Sequence, residues 1–260
     1  MKDDSNDISR PEPTSGSYFL SLPIFCDNSE MEIEVTETLY QTNSKFQDIL
    51  IVNTPKFGKC LIIDGVMQSA ESDHALYDHA LLSQLRQNDR NILILGGGDG
   101  FIAETALNQN PTLRVTMIDL DPVVIQGAQL ALGQKVFGDP RLNLVIGDAV
   151  HFLKTDTAIY DGIVCDLTDT PIGTNSEREK FEAFFQEVIG SAKERLDQDG
   201  WISIQAGATI ATDKFIDEAD IIGAILAEHF GDVSKADIHI PSYGETCSFL
   251  HAGKMKNDGR

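Results

Sequence analysis

From Asn91 onward the chain repeats one rhythm: a short, nearly continuous apolar run, a turn, then a stretch with helical spacing. NILILGGGDG precedes FIAETALNQ, LRVTMIDLD precedes PVVIQGAQLAL, LNLVIGDA precedes VHFLKT, and YDGIVCDLTD is a further apolar run. A strand that does not alternate with polar residues must be covered on both faces, and intervening helices make its connections parallel. The pattern predicts an open, doubly wound α/β sheet. Further on, EKFEAFFQEVIGSAKERL reads as helix, WISIQAG as strand and DKFIDEADIIGAILAEHF as helix, with ADIHI and CSFLHAG closing the sheet as antiparallel strands.

The first part of the chain has a different texture. Between Ser17 and Gln68 the runs YFLSLPIF, MEIEVTETLYQT, FQDILIVNT and KCLIIDGVMQS are short, β-branched and separated by Asp-Asn, Asn-Ser, Pro-Lys-Phe-Gly and Asp-Gly turn signals. They predict a small N-terminal antiparallel β domain over residues 17–72. DHALYDHALLSQLR, residues 73–86, then shows helical spacing with Ala75, Leu76, His79, Leu82 and Leu85 in one stripe. It is expected to bridge into a second domain over residues 73–254. Residues 1–16 and 255–260 are too polar to offset the entropy of ordering, and are expected to be disordered tails.

With 20 Lys and Arg against 41 Asp and Glu, the net charge is −21. That field repels phosphate, so nucleic acids and anionic membranes are excluded as partners and cations are favoured; an acidic surface also serves solubility or salt adaptation. Cys26, Cys60, Cys165 and Cys247 are far apart without a CxxC pair, and read as reduced core residues. No metal ligand set is expected. The polar, acidic start and the lack of an 18-residue apolar stretch make the cytoplasm the expected location.

Ligands of open α/β sheets bind beyond the carboxyl ends of the strands, and several of those ends carry acids here. Gly96-Gly97-Gly98-Asp99-Gly100 is a strand-to-helix turn that lets a ligand approach the backbone, although structural turns also have this composition. Asp119 follows the next strand about 20 residues later, where an acid accepts from ribose hydroxyls. Asp148, in Gly147-Asp148-Ala149, can accept from an adenine amine or cap the following helix. Asp166 and Asp169 lie on a loop where turn chemistry alone would also explain them. An acid at Asp99 opposes a pyrophosphate and suits a cationic cofactor. A sulfonium nucleoside, S-adenosylmethionine or its decarboxylated form, satisfies these points.

Here a resemblance enters. FQDILI, DGVMQSAESDHALYDH, ILILGGGDG, IDLDPVVI, IGDAVHFL, DGIVCDLTDTPIG, ISIQAG and IPSYGE, in this order over roughly residues 36–253, resemble the polyamine aminopropyltransferase family in its spermidine synthase branch. The resemblance implies a Rossmann-like, class I methyltransferase-like sheet and transfer of an aminopropyl group from decarboxylated S-adenosylmethionine, a co-substrate, to putrescine or a related diamine. It implies no prosthetic group, and a homodimer or homotetramer built partly through the β domain. It places the aminopropyl ammonium at Asp99 of the Gly96 to Gly98 turn, the ribose at Asp119, the adenine at Asp148 with Ala149, and Gln47 and Gln68 along the donor. Asp166 becomes the general base and Asp169 a second amine-binding acid, with Tyr77, Tyr243 and Gln205 around the amine.

The chemistry supplies a reason for these types. A primary amine is protonated at neutral pH, so a carboxylate must take a proton as the nitrogen approaches the carbon beside sulfur. A carboxylate on the donor would meet Asp99 and Asp166, which favours the decarboxylated form. The chain departs from the family pattern at the helix, where Asp73-His74-Ala75-Leu76-Tyr77-Asp78-His79 stands for DEFxYHE, at Thr170 in place of Pro, and at Glu104 in place of a basic residue. Acceptor identity is therefore open, with longer amines, agmatine or cadaverine as alternatives. His74 and His79 receive no catalytic role, and His151, His229, His239 and His251 read as structural. The alternatives are a small-molecule methyltransferase and a binding-only sensor.

Overall fold

The N-terminal runs fold as six strands in two sheets. β1 (Tyr18–Ile24) and β2 (Ser29–Val35) form an antiparallel hairpin. β3 (Glu37–Asn43), β4 (Asp48–Thr54), β5 (Gly58–Ile63) and β6 (Val66–Ala70) form a four-stranded antiparallel sheet. The run MEIEVTETLYQT is thus divided at Thr36, whose amide bonds to Asn53 across the second sheet at 2.9 Å. Asp64 and Gly65, at φ 49 and 79, supply the two left-handed residues of the turn between β5 and β6.

α1 (His74–Leu81) is shorter than the periodicity suggests and turns a different face inward. Asp78 and Leu81 are buried whereas Leu76 is 48% exposed, so the expected apolar stripe is corrected. The reason is polar: Asp78 accepts from Thr105 at 2.7 Å and pairs with His74 at 2.9 Å, satisfying a carboxylate that periodicity places outside.

The α/β unit follows as β7 (Asn91–Gly96), α2 (Phe101–Gln109), β8 (Arg114–Asp119), α3 (Pro122–Gly127), β9 (Leu142–Ile146), α4 (Ala149–Thr155), β10 (Tyr160–Asp166), α5 (Asn175–Arg195), β11 (Leu196–Ala208), α6 (Glu218–Phe230), β12 (Val233–Ile240) and β13 (Glu245–Gly253). The computed structural model describes residues 16–167, 174–210 and 215–253; the expected tails, apart from Gly16, lie outside them. Ile92, Leu93, Ile94 and Leu95 are all 0% exposed. Leu93 and Leu95 join the core under α4, α5 and α6, while Ile92 and Ile94 join the core under α1 and α2. The period of two deals successive residues to opposite cores, each fully buried aliphatic contributing about 1.5–3 kcal/mol.

The sheet order is β12-β13-β11-β10-β7-β8-β9, which is the doubly wound arrangement expected. Only β13 is reversed: β12 pairs antiparallel with it, and β13 pairs antiparallel with β11. The two closing strands are antiparallel to each other, as expected, and β12 runs parallel to the rest of the sheet. α6 carries the chain from β11 to β12 by a crossover, which keeps direction, whereas the short 241–244 turn into β13 makes a hairpin. Among the described residues no helix is long and apolar enough to cross a membrane. Cys60, Cys165 and Cys247 are buried and Cys26 half-buried.

Candidate active site

The chain order reverses between β7 and β10, and the crevice opens there. Asp166 at the end of β10 lies opposite Gly96 at the end of β7 in the parallel ladder. Gly96 has φ +86, and a Cβ there would overlap the Asp166 carbonyl oxygen, so two independent constraints require glycine. Gly98 is required by close approach instead: a Cβ would stand 2.6 Å from Oδ2 of Asp119.

Each strand-end acid is anchored by local backbone. Asp99 accepts from the Phe101 amide at 3.0 Å, at the start of α2. Asp119 accepts from the Asp121 amide at 2.8 Å, and its carbonyl from Gly147 at 2.9 Å. Asp148 caps α4 by accepting from His151 at 2.7 Å while also facing the cleft, so both roles weighed for it are compatible. These bonds fix one oxygen of each acid and aim the carboxylates at a common space.

The opposite wall comes from the β unit and the 241–244 turn. Gln47, just before β4, donates to Asp121 at 3.1 Å and so joins the two units. Tyr243 donates to the carbonyl of Gln68 on β6. The Tyr243 turn is itself pinned by Asp73, which accepts from the Ser242 amide and hydroxyl at 2.7 and 2.8 Å. Tyr77 on α1 donates to Oδ1 of Asp166.

Together these walls enclose a cavity of about 330 Å³. Gln47, Gly96, Gly98, Asp99, Asp119, Asp148 and Ala149 line it, as do Gln68, Tyr77, Asp166, Gln205 and Tyr243. Asp169 and Thr170 lie outside the described residues. Sequence reasoning gave no role to Asp121 and Glu245, which also line the cavity. Asp121 carries a usable signal, an acid two residues after Asp119 in the IDLD run. Glu245 ends the IPSYGE run, but what holds it, the distant Phe25 and Cys26 amides at 2.8 and 3.0 Å, leaves no local mark.

The electrostatics separate the groups. Burial, then the charge of Asp78, pushes Asp99 up to about 6, while the Ser69 hydroxyl, the Phe101 amide and His74 hold it back. Burial raises Tyr77 well above the ordinary phenol value, reinforced by the charge of Asp166, and raises Tyr243 likewise. Both tyrosines therefore stay protonated donors. Glu245 is raised by burial against the opposing Cys26 and Phe25 amides. A cavity with carboxylates on one wall and phenols and amides on the other can hold a cation and accept a proton from it.

A family model described as "Spermine/spermidine synthase domain" matches residues 70–258, and a "Spermidine synthase tetramerisation domain" matches residues 24–71. A polyamine aminopropyltransferase of Sulfolobus acidocaldarius is 32% identical over 229 residues, 86% of this chain and 74% of that protein. A thermospermine synthase of Arabidopsis thaliana is 31% identical over 238 residues, 89% of this chain and 69% of that protein. In fold, the chain is similar to a spermidine synthase from Thermotoga maritima, with a TM-score of 0.76 at 22% identity over 96% of this chain and 84% of the other. It is also similar to a spermidine synthase in complex with the transition-state analogue AdoDATO, with a TM-score of 0.78 at 23% identity over 96% of this chain and 85% of the other.

Proposed function

The chain belongs to the spermine/spermidine synthase family, and from that premise we propose how its cleft moves an aminopropyl group from decarboxylated S-adenosylmethionine to putrescine or a related amine. The donor enters as a co-substrate, not a prosthetic group. The small-molecule methyltransferase alternative is set aside, because the family matches cover residues 24–71 as well as 70–258.

In this reading Asp99 holds the aminopropyl ammonium, Asp119 the ribose hydroxyls, and Asp148 with Ala149 the adenine. Gln47 and Gln68 border the donor, and the turn of Gly96 and Gly98 gives it room. Tyr77, Tyr243, Gln205 and Asp169 hold the acceptor. Asp166 takes a proton from the incoming ammonium; the freed lone pair attacks the carbon beside sulfur. A nitrogen–carbon bond forms, the carbon–sulfur bond breaks, and its electron pair neutralises the sulfonium. 5′-Methylthioadenosine and the lengthened amine leave. With a charged leaving group already in place, positioning and charge complementarity carry most of the acceleration.

The observation that carries this reading is the pairing of Asp166 with Gly96, three residues before Asp99, at the strand ends that line one cavity. Putrescine is the proposed acceptor within the diamine class. A homodimer or homotetramer is proposed from the tetramerisation-domain match, with residues 17–72 as the β domain and 73–254 as the catalytic domain. A cytoplasmic site of action is supported by three buried thiols, Cys60, Cys165 and Cys247. The test is incubation with the decarboxylated donor and a panel of di- and triamines, with products read by mass. A 5′-methylthioadenosine yield matching the lengthened amine is expected; methyl transfer from intact S-adenosylmethionine, or no product with any amine, would overturn it.

A further inference from the structure

Next to Asp99 lies a small chamber of about 20 Å³ whose lining includes Asp73, His74, Asp78, Asp99 and Asp166. Among the described residues around it, His74 is the one side chain able to carry positive charge. Its placement is over-determined. The imidazole stacks on the Phe101 ring with centroids 3.9 Å apart and planes 16° from parallel. Nδ1 lies 2.9 Å from Oδ2 of Asp78, which is 1% exposed and also accepts from Thr105 at 2.7 Å. Phe101 in turn gives its backbone amide to Asp99. One residue therefore clamps the imidazole with its ring and the donor-site acid with its backbone.

We infer that His74 is a positioning residue whose imidazolium, clamped between Asp78 and Phe101, helps keep Asp99 ionised and thereby supports the affinity for an ammonium-bearing donor. This rests on the reading above that Asp99 binds the aminopropyl ammonium. A buried Asp78 beside Asp99 would otherwise leave two like charges in a poorly solvated corner, and one of them would take up a proton. A cation held by Asp78 offsets that repulsion and keeps Asp99 ionised.

The groups facing His74 come from every neighbouring element. Asp78 and Tyr77 are on its own helix, Asp73 precedes it, Glu104 is on α2, Asp99 and Asp166 are at the strand ends, and Tyr243 is on the 241–244 turn. Asp73 is committed to Ser242, Tyr77 to Asp166, and Glu104 accepts from Gln134 at 3.3 Å. Burial lowers the imidazole's proton affinity, but the bond to Asp78 and the charges of Asp78, Asp99 and Glu104 outweigh it, leaving His74 raised. Among the charged groups, Asp78 and then Asp99 act on His74 most strongly.

The test uses two ligands of the full-length protein, the decarboxylated donor and 5′-methylthioadenosine, which lacks the ammonium. Calorimetric affinities are measured from pH 5 to 8.5. In the wild type, donor affinity should fall as pH drops through about 6 while methylthioadenosine affinity stays flat. In His74→Gln the donor's acid limb should move up by about one pH unit, so that it binds about twofold more weakly at pH 7 and about tenfold more weakly at pH 5, and methylthioadenosine should be unchanged. An unmoved acid limb, or equal weakening of both ligands, overturns the inference. Should the variant not fold, the wild type still decides: by linkage, donor binding should shift the NMR titration midpoint of His74 and methylthioadenosine should not. An unshifted midpoint overturns the inference as well. Failure of the wild type to bind the donor at any pH would instead remove the reading of Asp99 itself.

Discussion

The hydroxyl of Tyr77 on α1 donates a hydrogen bond to Oδ1 of Asp166 at the end of β10. Burial and the Asp166 charge keep that phenol protonated, so the bond has a fixed direction. It fixes the orientation of the carboxylate within the cleft. A hydrogen bond to a charged group is worth about 1.5–3 kcal/mol, so Tyr77→Phe should lower kcat by roughly 10- to 100-fold. The KM for the donor should change little, because Tyr77 lies on the acceptor side of the proposed chemistry. Steady-state kinetics check this, and a drop in kcat below about threefold would mean that the bond does not orient the base.

Asp166→Asn separates proton transfer from binding. The amide keeps the size and a hydrogen-bond acceptor but cannot take a proton from an ammonium. Loss of general-base catalysis should cost about 10²- to 10⁴-fold in kcat, with the affinity for 5′-methylthioadenosine held within about threefold. Single-turnover rates and calorimetry read the two effects. A near-normal rate would assign proton removal to another group.

The parts of fold and site that were legible in the sequence share one cause. Where a property is local to one strand and its turn, it is written in neighbouring residues: the non-alternating ILIL of β7, the glycine turn before Asp99, and the acids Asp119, Asp148 and Asp166. Properties that arise when separate elements meet left no such trace. Asp78 is buried because Thr105, on another helix, satisfies it. Glu245 is oriented by the turn that follows β1, more than 200 residues earlier. The direction of β12 depends on how α6 crosses the sheet, not on the composition of ADIHI. Asp169 lies outside the described residues.

The two glycines of the turn should fail in different ways. At Gly98 a methyl group would approach Oδ2 of Asp119 at 2.6 Å and Val124 at 3.1 Å. Gly98→Ala should therefore fold and displace Asp119, the acid proposed to hold the ribose, raising the donor KM by about tenfold with a smaller change in kcat. At Gly96 the left-handed backbone and the Asp166 carbonyl both oppose a side chain, and backbone atoms cannot rotate away. Gly96→Ala should lose at least about 1–3 kcal/mol of stability, visible as a lower Tm or as insoluble protein. Equal stability of the two variants would refute the distinction.

Asp99 should make the protein less stable at neutral pH in exchange for its function. Its carboxyl is raised from 3.8 to about 6 in the folded state, first by burial and then by Asp78. Below about pH 4 the group is neutral both folded and unfolded, so it exerts no pH-dependent effect. Between about pH 4 and 6 the unfolded chain gives up this proton first, and stability falls as pH rises. Above about pH 6 the penalty is complete, on the order of 2–4 kcal/mol for a shift of this size. Asp99→Asn, whose side-chain oxygen can still accept from the Phe101 amide, should match the wild type near pH 4 and exceed its Tm near pH 7.5 when both are ligand-free. The same variant should lose about 100-fold or more in kcat/KM for the donor. Thermal melts across pH test the first half and kinetics the second; a wild type more stable than the variant at pH 7.5 would show that Asp99 is ionised at no cost, and would remove the need for a compensating His74.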